Sequence, residues 1–267
     1  MTARVYDCFT FNNEYDVLKI RLNELSSVVD RFVVVEGTRT FSGINKKLTF
    51  DYRHPAIAGF EDQIDLVVVN DWPDTTDPWA RESWQRSAMQ RGLLSARPDD
   101  LVIIGDVDEI PRSHYVAQCR DDYSISYFGF AMNMYYFYFN YKSIHEDGSP
   151  KRNVWSIASR YSNLLHHTTD QLRYAVRFHQ VPSMTIENAG WHFSYLMDDE
   201  AVKKKIQNFS HQEFNTPEIL GQINIKSIVA NSADLFGRSH EKWKLVSEDD
   251  LPGWLKNHQS EYQNYFG

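Results

Sequence analysis

The sequence contains only two cysteines, Cys8 and Cys119, among its 267 residues. Two cysteines cannot build a disulfide framework, and neither stands at a spacing typical of a metal-binding pair. No apolar run approaches the roughly 18 residues that a membrane-spanning helix requires. The first residues, MTARVYDCFTF, enter strand-like sequence without the charged and then apolar pattern of a signal peptide. These absences predict a cytoplasmic protein with no transmembrane segment.

Basic residues are also scarce. The formal net charge is -8, and the only basic run is Lys203, Lys204 and Lys205, which is typical of a solvated helix face. Affinity for nucleic acid depends on clustered Lys and Arg, so we expect no nucleic-acid partner. Aromatic residues, by contrast, make up 14% of the chain, and their rings can pack against the apolar faces of sugars or bases.

Three short apolar runs, at 32–35, 66–69 and 101–104, predict strands buried on both faces of a parallel sheet. Helical periodicity covers residues 13–29, and a second helix is predicted from Asp77 and Pro78 to a point before Pro98. With a first strand at 5–11, this alternation predicts an α/β fold. We expect residues 1–110 to form a parallel, Rossmann-like half.

The pattern of residues along the sequence changes after residue 111. Residues 123–141 are dense in aromatics and roughly alternating, and 154–161 and 184–187 also predict strands. A helix is predicted over 199–209, whereas the tail at 248–267 gives no clear pattern. The second half is therefore expected to be mixed. Because the chain has no internal repeat and no Pro-, Gly- or Ser-rich linker, we expect one domain over 1–267.

The most informative segment is LVIIGDVDEIP at 101–111, where an apolar strand leads directly into Asp106, Asp108 and Glu109. In open α/β sheets, ligands bind beyond the carboxyl ends of the strands. Two carboxylates two residues apart suit a hard divalent cation such as Mg²⁺ or Mn²⁺, which keeps coordination positions for phosphates. The alternative is that Asp106 forms a turn and Asp108 caps a helix beginning near Pro111.

Five other side chains are weaker candidates by themselves. Glu36 follows a predicted strand and could bind a ribose or base, or could be an ordinary strand-end carboxylate. Arg81 could reach a diphosphate from the start of the second helix, while the spacing of Glu82 and Arg86 is that of a surface ion pair. A lone histidine in an aromatic stretch, such as His192, is more typical of a partly buried imidazole than of a metal ligand.

Taken together, five separated segments resemble glycosyltransferase family 17. They are YDCFTFNNEYDVLKIRLNEL at 6–25, FVVVEGTRTFSG at 32–43, WARESWQR at 79–86, GDVDEIP at 105–111, and GWHFSYL at 190–196 with KIQNFSHQEFN at 205–215. The resemblance implies a GT-A fold with a nucleotide-binding half at 1–110 and an acceptor-binding half and tail at 111–267. It also implies a nucleotide-sugar donor, most typically a UDP-sugar, a Mn²⁺ or Mg²⁺ ion, and inversion at the anomeric carbon. The expected acceptor is a glycan, lipid-linked or part of a polysaccharide.

The resemblance also implies roles for single residues. Asp106 and Asp108 become the pair that holds the metal against the donor diphosphate, with Val107 between them, and His192 becomes a third ligand. The remaining donor-site candidates are Asn12, Glu36, Ser42, Gly43 and Arg81. Lys204 and Lys205 would assist at the diphosphate if they faced inward.

Transfer of a sugar to an alcohol also needs a general base, for which a carboxylate is suited. The candidates are Glu213, which ends the last family-like segment, then Glu200 and Asp199 at the start of the predicted helix. Asp199 and Glu200 would also suit a helix N-terminus without any catalytic role.

Other classes of protein share parts of this pattern. A sugar nucleotidyltransferase would use a similar sheet, but it usually carries a Gly-rich, basic loop after the first strand, where this chain reads FTFNNEYD. A glycoside hydrolase with two carboxylates would not need a nucleotide crevice. A non-catalytic carbohydrate-binding module would explain the aromatic residues alone.

Overall fold

The computed structural model describes residues 2–267. Within that range the strands are β1 (Val5–Thr10), β2 (Arg31–Gly37), β3 (Ile64–Val69), β4 (Leu101–Asp106), β5 (Glu109–Pro111), β6 (Tyr127–Tyr136), β7 (Tyr141–Ile144), β8 (Arg152–Arg160), β9 (Met184–Ser194) and β10 (Lys242–Leu245). The α-helices are α1 (Tyr15–Leu25), α2 (Pro78–Ser87), α3 (Ser113–Asp121), α4 (Thr169–Arg177), α5 (Asp199–Asn208), α6 (Pro217–Gln222), α7 (Ile225–Ala230) and α8 (Gly253–Asn257). All ten strands join one sheet.

The parallel half predicted from the sequence is confirmed. Strands β4, β1, β2 and β3 are adjacent in that order and mutually parallel. The register places Thr10 of β1 beside Asp106 of β4, so both strands end at the same edge of the sheet. That edge is where an open α/β sheet binds its ligands.

Burial on both faces explains the continuous apolar runs. On one face, Val34 and Ile103 pack with Leu18 and Leu22 of α1. On the other face, residues such as Val33, Val35, Val102 and Ile104 pack against Met89 and Leu93, which follow α2, and against Val176 of α4. The parallel half is therefore a three-layer structure with its sheet in the middle.

Both predicted helices of this half are present but shorter than expected. Asp77 caps α2 by accepting a hydrogen bond from the Trp79 amide (3.0 Å), and Pro78 occupies the first turn. The α-helix ends at Ser87, and the chain continues as a 3₁₀-helix over Ala88–Gly92. A Cβ added at Gly92 would lie 2.3 Å from Val33, so this segment runs too close to the sheet for a larger residue.

The second half is mixed, as predicted. Strand β8 pairs antiparallel with β4 and β6, and β9 pairs parallel with β6 and antiparallel with β5. The strands expected at 154–161 and 184–187 are present, and the second extends to Ser194. The sequence patterns did not predict α4, which proves important for the site.

The tail packs against the first helix. Tyr262 and Leu255 share a hydrophobic cluster with Val17 and Ile20 of α1. The hydroxyl of Tyr265 also donates to Asp16 (2.8 Å). The last residues of the chain therefore belong to the folded core around α1. No helix among residues 2–267 is long and apolar enough to span a membrane.

Candidate active site

Three acids form what we call the acidic rim: Asp106 at the end of β4, Asp108 just after it, and Glu109 at the start of β5. Arg21 of α1 holds the backbone of the rim in place. Its guanidinium donates hydrogen bonds to the carbonyls of Asp106 (2.9 Å) and Glu109 (2.7 Å). Arg21 is itself held by a two-bond ion pair with Asp7 of β1 (2.6 and 2.7 Å), and both side chains are fully buried. The rim therefore rests on a buried, charge-paired support.

Asp106 is held by two guanidinium groups. Its carboxylate accepts from Arg86 of α2 (2.9 Å), from Arg173 of α4 (3.2 Å) and from the Thr10 hydroxyl (2.8 Å). Burial alone would raise the pKa of Asp106, but Arg86 and Arg173 hold it well below its ordinary value. Arg173 also binds Glu109 (2.5 Å), so it links two of the three rim acids.

Asp108 faces a different set of partners. One carboxylate oxygen lies 3.5 Å from His192 Nε2, and the other lies 3.5 Å from the ammonium group of Lys205 on α5. Burial acts to raise the pKa of Asp108, but Lys205 and His192 leave it below its ordinary value. Asp108 is thus an ionised, largely buried carboxylate between a cation and an imidazole.

The pairing of β5 with β9 places His192 beside the rim. Glu109 is the register partner of His192, and the Phe193 amide donates to the Asp108 carbonyl (2.8 Å). The imidazole packs edge-on against Trp155 with 4.4 Å between ring centroids. Its second nitrogen, Nδ1, is buried and has no hydrogen-bond partner among the described residues.

Asp108 and His192 have the right chemistry for a divalent cation. A carboxylate oxygen and an imidazole nitrogen are suitable ligands, and such ions are often held by one or two protein groups together with substrate phosphates. The contact of 3.5 Å brings the two ligands to one place. Residues 2–267 contain no cluster of three or more His, Cys, Asp or Glu side chains that could hold a metal. Of the three predicted ligands, the structure therefore brings together two, while Asp106 is engaged by arginines.

Glu14 is a site residue that the sequence patterns missed. Its carboxylate lies 3.9 Å from Lys205, and it accepts a hydrogen bond from the Asn12 amide (2.7 Å). Burial raises the pKa of Glu14. Lys205 acts to lower this pKa, whereas the nearby charge of Asp108 raises it further. The ammonium group of Lys205 therefore bridges two acids, one from the rim and one from the loop before α1. Lys205 is the inward-facing lysine of the basic run.

Ser42, Gly43 and Arg81, predicted at the donor site, do lie together. The Arg81 guanidinium donates to the Phe41 carbonyl (2.9 Å) and lies close enough that a Cβ added at Gly43 would be 3.1 Å from it. Gly43 has a φ of 97°, which favours glycine. The Ser42 amide donates to the carbonyl of Asn208 at the end of α5 (3.3 Å). Arg81 thus shapes a loop next to α5.

The other predicted donor-site residues have local roles in this structure. Glu36 is fully buried and accepts hydrogen bonds from the Thr49 amide (2.8 Å) and the Phe50 amide (2.9 Å), so it anchors a loop. Val107 is buried and its amide donates to the Thr10 carbonyl (3.2 Å). Asn12 is exposed in the loop that follows β1.

The three candidate bases lie on or after α5. Glu213 is exposed and pairs with His211 (2.7 Å). The small buried part of its side chain acts to raise the pKa of Glu213, but the hydrogen bond from His211 leaves that pKa below its ordinary value. Glu200 is exposed beside Lys203 (2.5 Å). Asp199 accepts a hydrogen bond from the Ile225 amide at the start of α7 (3.0 Å).

The structure also decides two alternatives left by the sequence. Asp108 does not cap α3, because the N-cap residue of that helix is Arg112 and no side chain caps it. Arg86 and Glu82 do form an ion pair, but it is largely buried and Arg86 continues to Asp106, so the surface interpretation is wrong. Arg173 could not have been found from spacing, since it lies 67 residues beyond Asp106.

With this geometry established, similarity to known proteins can be added. The sequence profile described as glycosyltransferase family 17 matches residues 1–247. The chain belongs to this family. The β-1,4-mannosyl-glycoprotein 4-β-N-acetylglucosaminyltransferases of Rattus norvegicus and Homo sapiens are each 34% identical to it over 124 residues. These alignments cover 40% of this chain and only 22% of each relative.

The GT-A fold expected of a family 17 member is confirmed by the parallel half and the mixed half that extends it. Similar solved structures include glucosyl-3-phosphoglycerate synthase from Mycobacterium tuberculosis in complex with Mn²⁺ and UDP-glucose, with a TM-score of 0.39, 11% identity, and coverage of 72% of this chain and 70% of that one. Another is the 2-C-methyl-D-erythritol 4-phosphate cytidylyltransferase of Francisella tularensis, with a TM-score of 0.41, 10% identity, and coverage of 76% and 98%.

Proposed function

We propose that this family 17 chain is an inverting, metal-assisted glycosyltransferase. It moves a sugar, GlcNAc or a related hexose, from a nucleotide-sugar donor, a UDP-sugar, to a hydroxyl group of a glycan acceptor. The observation that carries the proposal is the pair Asp108 and His192, which lies beside Lys205 at the ligand-binding edge of the parallel sheet. Family membership gives the transferase class, and this pair supports a diphosphate site at the sheet edge.

The leaving diphosphate gains negative charge as the glycosidic bond to it breaks, so preorganised positive groups lower the barrier. Asp108 and His192 would hold a Mn²⁺ or Mg²⁺ ion, which supplies Lewis-acid neutralisation of that charge when bound. Lys205 adds a fixed ammonium group, whose pKa is raised by Asp108 and Glu14 despite its burial. Arg86 and Arg173 hold Asp106 in place, so the rim keeps its conformation as the donor binds and the nucleotide is released.

Inversion requires one displacement step. The acceptor oxygen forms a bond to the anomeric carbon, the bond from that carbon to the diphosphate oxygen breaks, and the hydroxyl proton passes to a base. We propose Glu213 as the base, because the carboxylate is exposed, ionised and paired with His211, which can take the proton onward. Glu200 and Asp199 rank below it, since each already stabilises a helix.

Thermal-shift measurements with UDP, GDP and Mn²⁺ test the proposal. A transferase of this kind is stabilised by one nucleotide only when the metal is present, because the metal links the diphosphate to the rim. The Asp108→Asn variant serves as the matched control and should lose the metal-dependent part of the shift. If neither nucleotide stabilises the wild-type protein with Mn²⁺, the proposed function is wrong.

The base assignment has its own test. Glu213→Gln should lower turnover by about 10² to 10⁴ while leaving UDP binding unchanged, because general-base catalysis contributes on that order. Glu218→Gln, an exposed acid on the neighbouring helix α6, is the control. Turnover at the wild-type level in Glu213→Gln would move the role to Glu200 or Asp199.

A further inference from the structure

A groove of about 440 Å³ lies between the end of α4 and strands β6, β8 and β9. We call it the basic groove, because its lining includes two arginines, Arg152 and Arg177, and one acid, Glu187. The acid is 69% exposed and lies 4.0 Å from Arg152. The balance of charge inside the groove is therefore positive, in a chain whose net charge is negative.

Arg177 is the most informative residue of the groove. Its Nε donates to the Val154 carbonyl (3.0 Å), and its guanidinium lies 4.9 Å from the centre of the Trp155 ring. Among residues 2–267 no carboxylate forms an ion pair with it. Burial, with Arg173 adding to it, lowers the pKa of Arg177 to about 10. A guanidinium held in this way gains from an anionic partner, which would supply charge-assisted hydrogen bonds.

The basic groove adjoins the acidic rim through α4. Arg173 binds two acids of the rim. Arg177 lies four residues later, so neighbouring positions on one face of α4 contribute to the acidic rim and to the basic groove. Four residues of α-helix rise about 6 Å, which is close to the size of one sugar ring. A group bound by Arg177 could therefore place a neighbouring hydroxyl at the rim.

Trp155 provides a second link between the two places. Its ring contacts His192, the candidate metal ligand, on one side and Arg177 on another. Its Nε1 is buried and has no hydrogen-bond partner among the described residues. An aromatic ring with an unused donor, next to a cation, suits a charged sugar better than a wholly apolar ligand.

We propose that the basic groove is an acceptor subsite and that it binds an anionic group, phosphate or carboxylate, carried by the acceptor sugar. The proposal rests on the glycosyltransferase function proposed above, and it adds the charge of the acceptor to it. Arg177 and Arg152 bind the anion, and Trp155 packs against the sugar ring.

Three simple sugars serve as probes: glucose 6-phosphate, glucuronate and neutral methyl glucoside. Dissociation constants are measured by NMR or calorimetric titration of the full chain in the presence of UDP and Mn²⁺. We expect at least one anionic probe to bind about tenfold more tightly than methyl glucoside, because only an anion can form charge-assisted hydrogen bonds with the two guanidinium groups. The probe that binds more tightly identifies phosphate or carboxylate as the preferred group. Equal binding of all three, or no binding of any, overturns the proposal.

Substitutions then locate the binding site. Arg177→Gln and Arg152→Gln should each weaken the preferred anionic probe about tenfold and leave methyl glucoside unchanged. Arg53→Gln makes the same change in net charge at an exposed position far along the chain, and it should have no effect. Arg177→Lys, which keeps the charge over Trp155, covers the case in which the glutamine variant does not fold, and it should retain part of the affinity. If Arg53→Gln weakens the probe as much as Arg152→Gln, the anion is attracted by overall charge and the groove assignment is wrong.

Removing the only acid of the groove should have the opposite effect. Glu187→Gln is expected to tighten binding of the anionic probe about twofold, because it removes a like charge from an exposed position next to Arg152. UDP binding, measured on the same samples, separates the two proposals. If UDP fails to bind the wild-type protein, the proposed function fails; if UDP binds and the anionic preference is absent, only the subsite fails.

Discussion

Arg21 and Arg177 are both largely withdrawn from solvent, yet the two halves of the sheet surround them differently. In the parallel half, Arg21 has a two-bond ion pair with Asp7 and donates to the backbone of the rim. In the mixed half, Arg177 donates a hydrogen bond to one backbone carbonyl and lies over the face of the Trp155 ring. The first arrangement stabilises a fixed structure, whereas the second leaves donor capacity for a ligand.

The acidic rim lies where these two halves meet. Its acids lie at or just after the end of β4 of the parallel half, where Arg86 of that half binds Asp106. Three further groups that face the acids, Arg173, His192 and Lys205, belong to the mixed half. Such a site depends on two features. One is the rigid support that Arg21 and Asp7 give to the rim, and the other is accurate packing of the mixed half against the parallel half. The predictions below separate these two requirements.

Arg21→Met should have the largest effect of the four. Methionine fills much of the space but leaves Asp7 buried without its partner, and breaking a buried ion pair in this way costs roughly 3–5 kcal/mol. We expect the free energy of unfolding, measured by urea denaturation, to fall by that amount. The matched substitution is Arg177→Met, for which we expect a loss of at most about 1 kcal/mol, because no buried carboxylate is left behind. Equal losses in the two variants would remove the distinction between the halves.

Asp108→Asn should affect activity strongly. The change preserves shape but removes the charge that faces Lys205 and His192, and the loss of one such electrostatic group lowers turnover by about 10² to 10³. Asp71→Asn, an exposed aspartate paired with Arg91, is the control and should be neutral. The measurement is turnover, together with the affinity for UDP with and without Mn²⁺. Undiminished turnover in Asp108→Asn would exclude it as a ligand for the metal.

The sequence predicted the parallel half well because each of its elements has a local signal. Apolar runs that must be buried on both faces are short and continuous, and Asp77 with Pro78 defines the start of α2 through backbone geometry alone. The pair Asp106 and Asp108 could be placed at the sheet edge for the same reason. Such signals depend only on residues within one element.

The partners of the rim could not be predicted in this way. Lys205 lies 97 residues after Asp108, and Arg173 lies 67 residues after Asp106, so their contacts follow from the tertiary fold. Helix α4 does carry a local signal for its start, because Thr168 and Gln171 form a capping box, but that signal does not show that Arg173 reaches the rim. His192 was found only through the resemblance to family 17, since an isolated histidine in an aromatic segment has no distinctive spacing.

Gly190→Ala should test the packing between the halves. A Cβ at this position would lie 2.2 Å from the Ile110 carbonyl oxygen and 2.9 Å from Pro111 Cα, so β5 and β9 would have to separate. We expect a loss of roughly 1–3 kcal/mol in stability, in the range of other overpacked sites. Because the same strand pair aligns Glu109 with His192, Mn²⁺-dependent UDP binding should weaken as well. Gly221→Ala, where a Cβ meets no atom within 4 Å, is the control.

Glu14→Gln should have the smallest effect, and its size depends on pH. Burial raises the pKa of Glu14 in the folded protein, so the native state favours the protonated form. The stability that this gives is complete below the ordinary pKa and is lost as pH rises through the folded-state pKa. Glutamine mimics the protonated form and can still accept the Asn12 amide, so we expect the variant to melt about 1–3 °C above wild type at pH 7 and at the same temperature near pH 4. Glu61→Gln is the matched control, because that exposed carboxylate also accepts a hydrogen bond from an amide two residues earlier, that of Gly59 (2.8 Å). A variant that melts below wild type at pH 7 would mean that the attraction of Lys205 outweighs the burial of Glu14, and that this edge of the rim is as fully paired as Arg21.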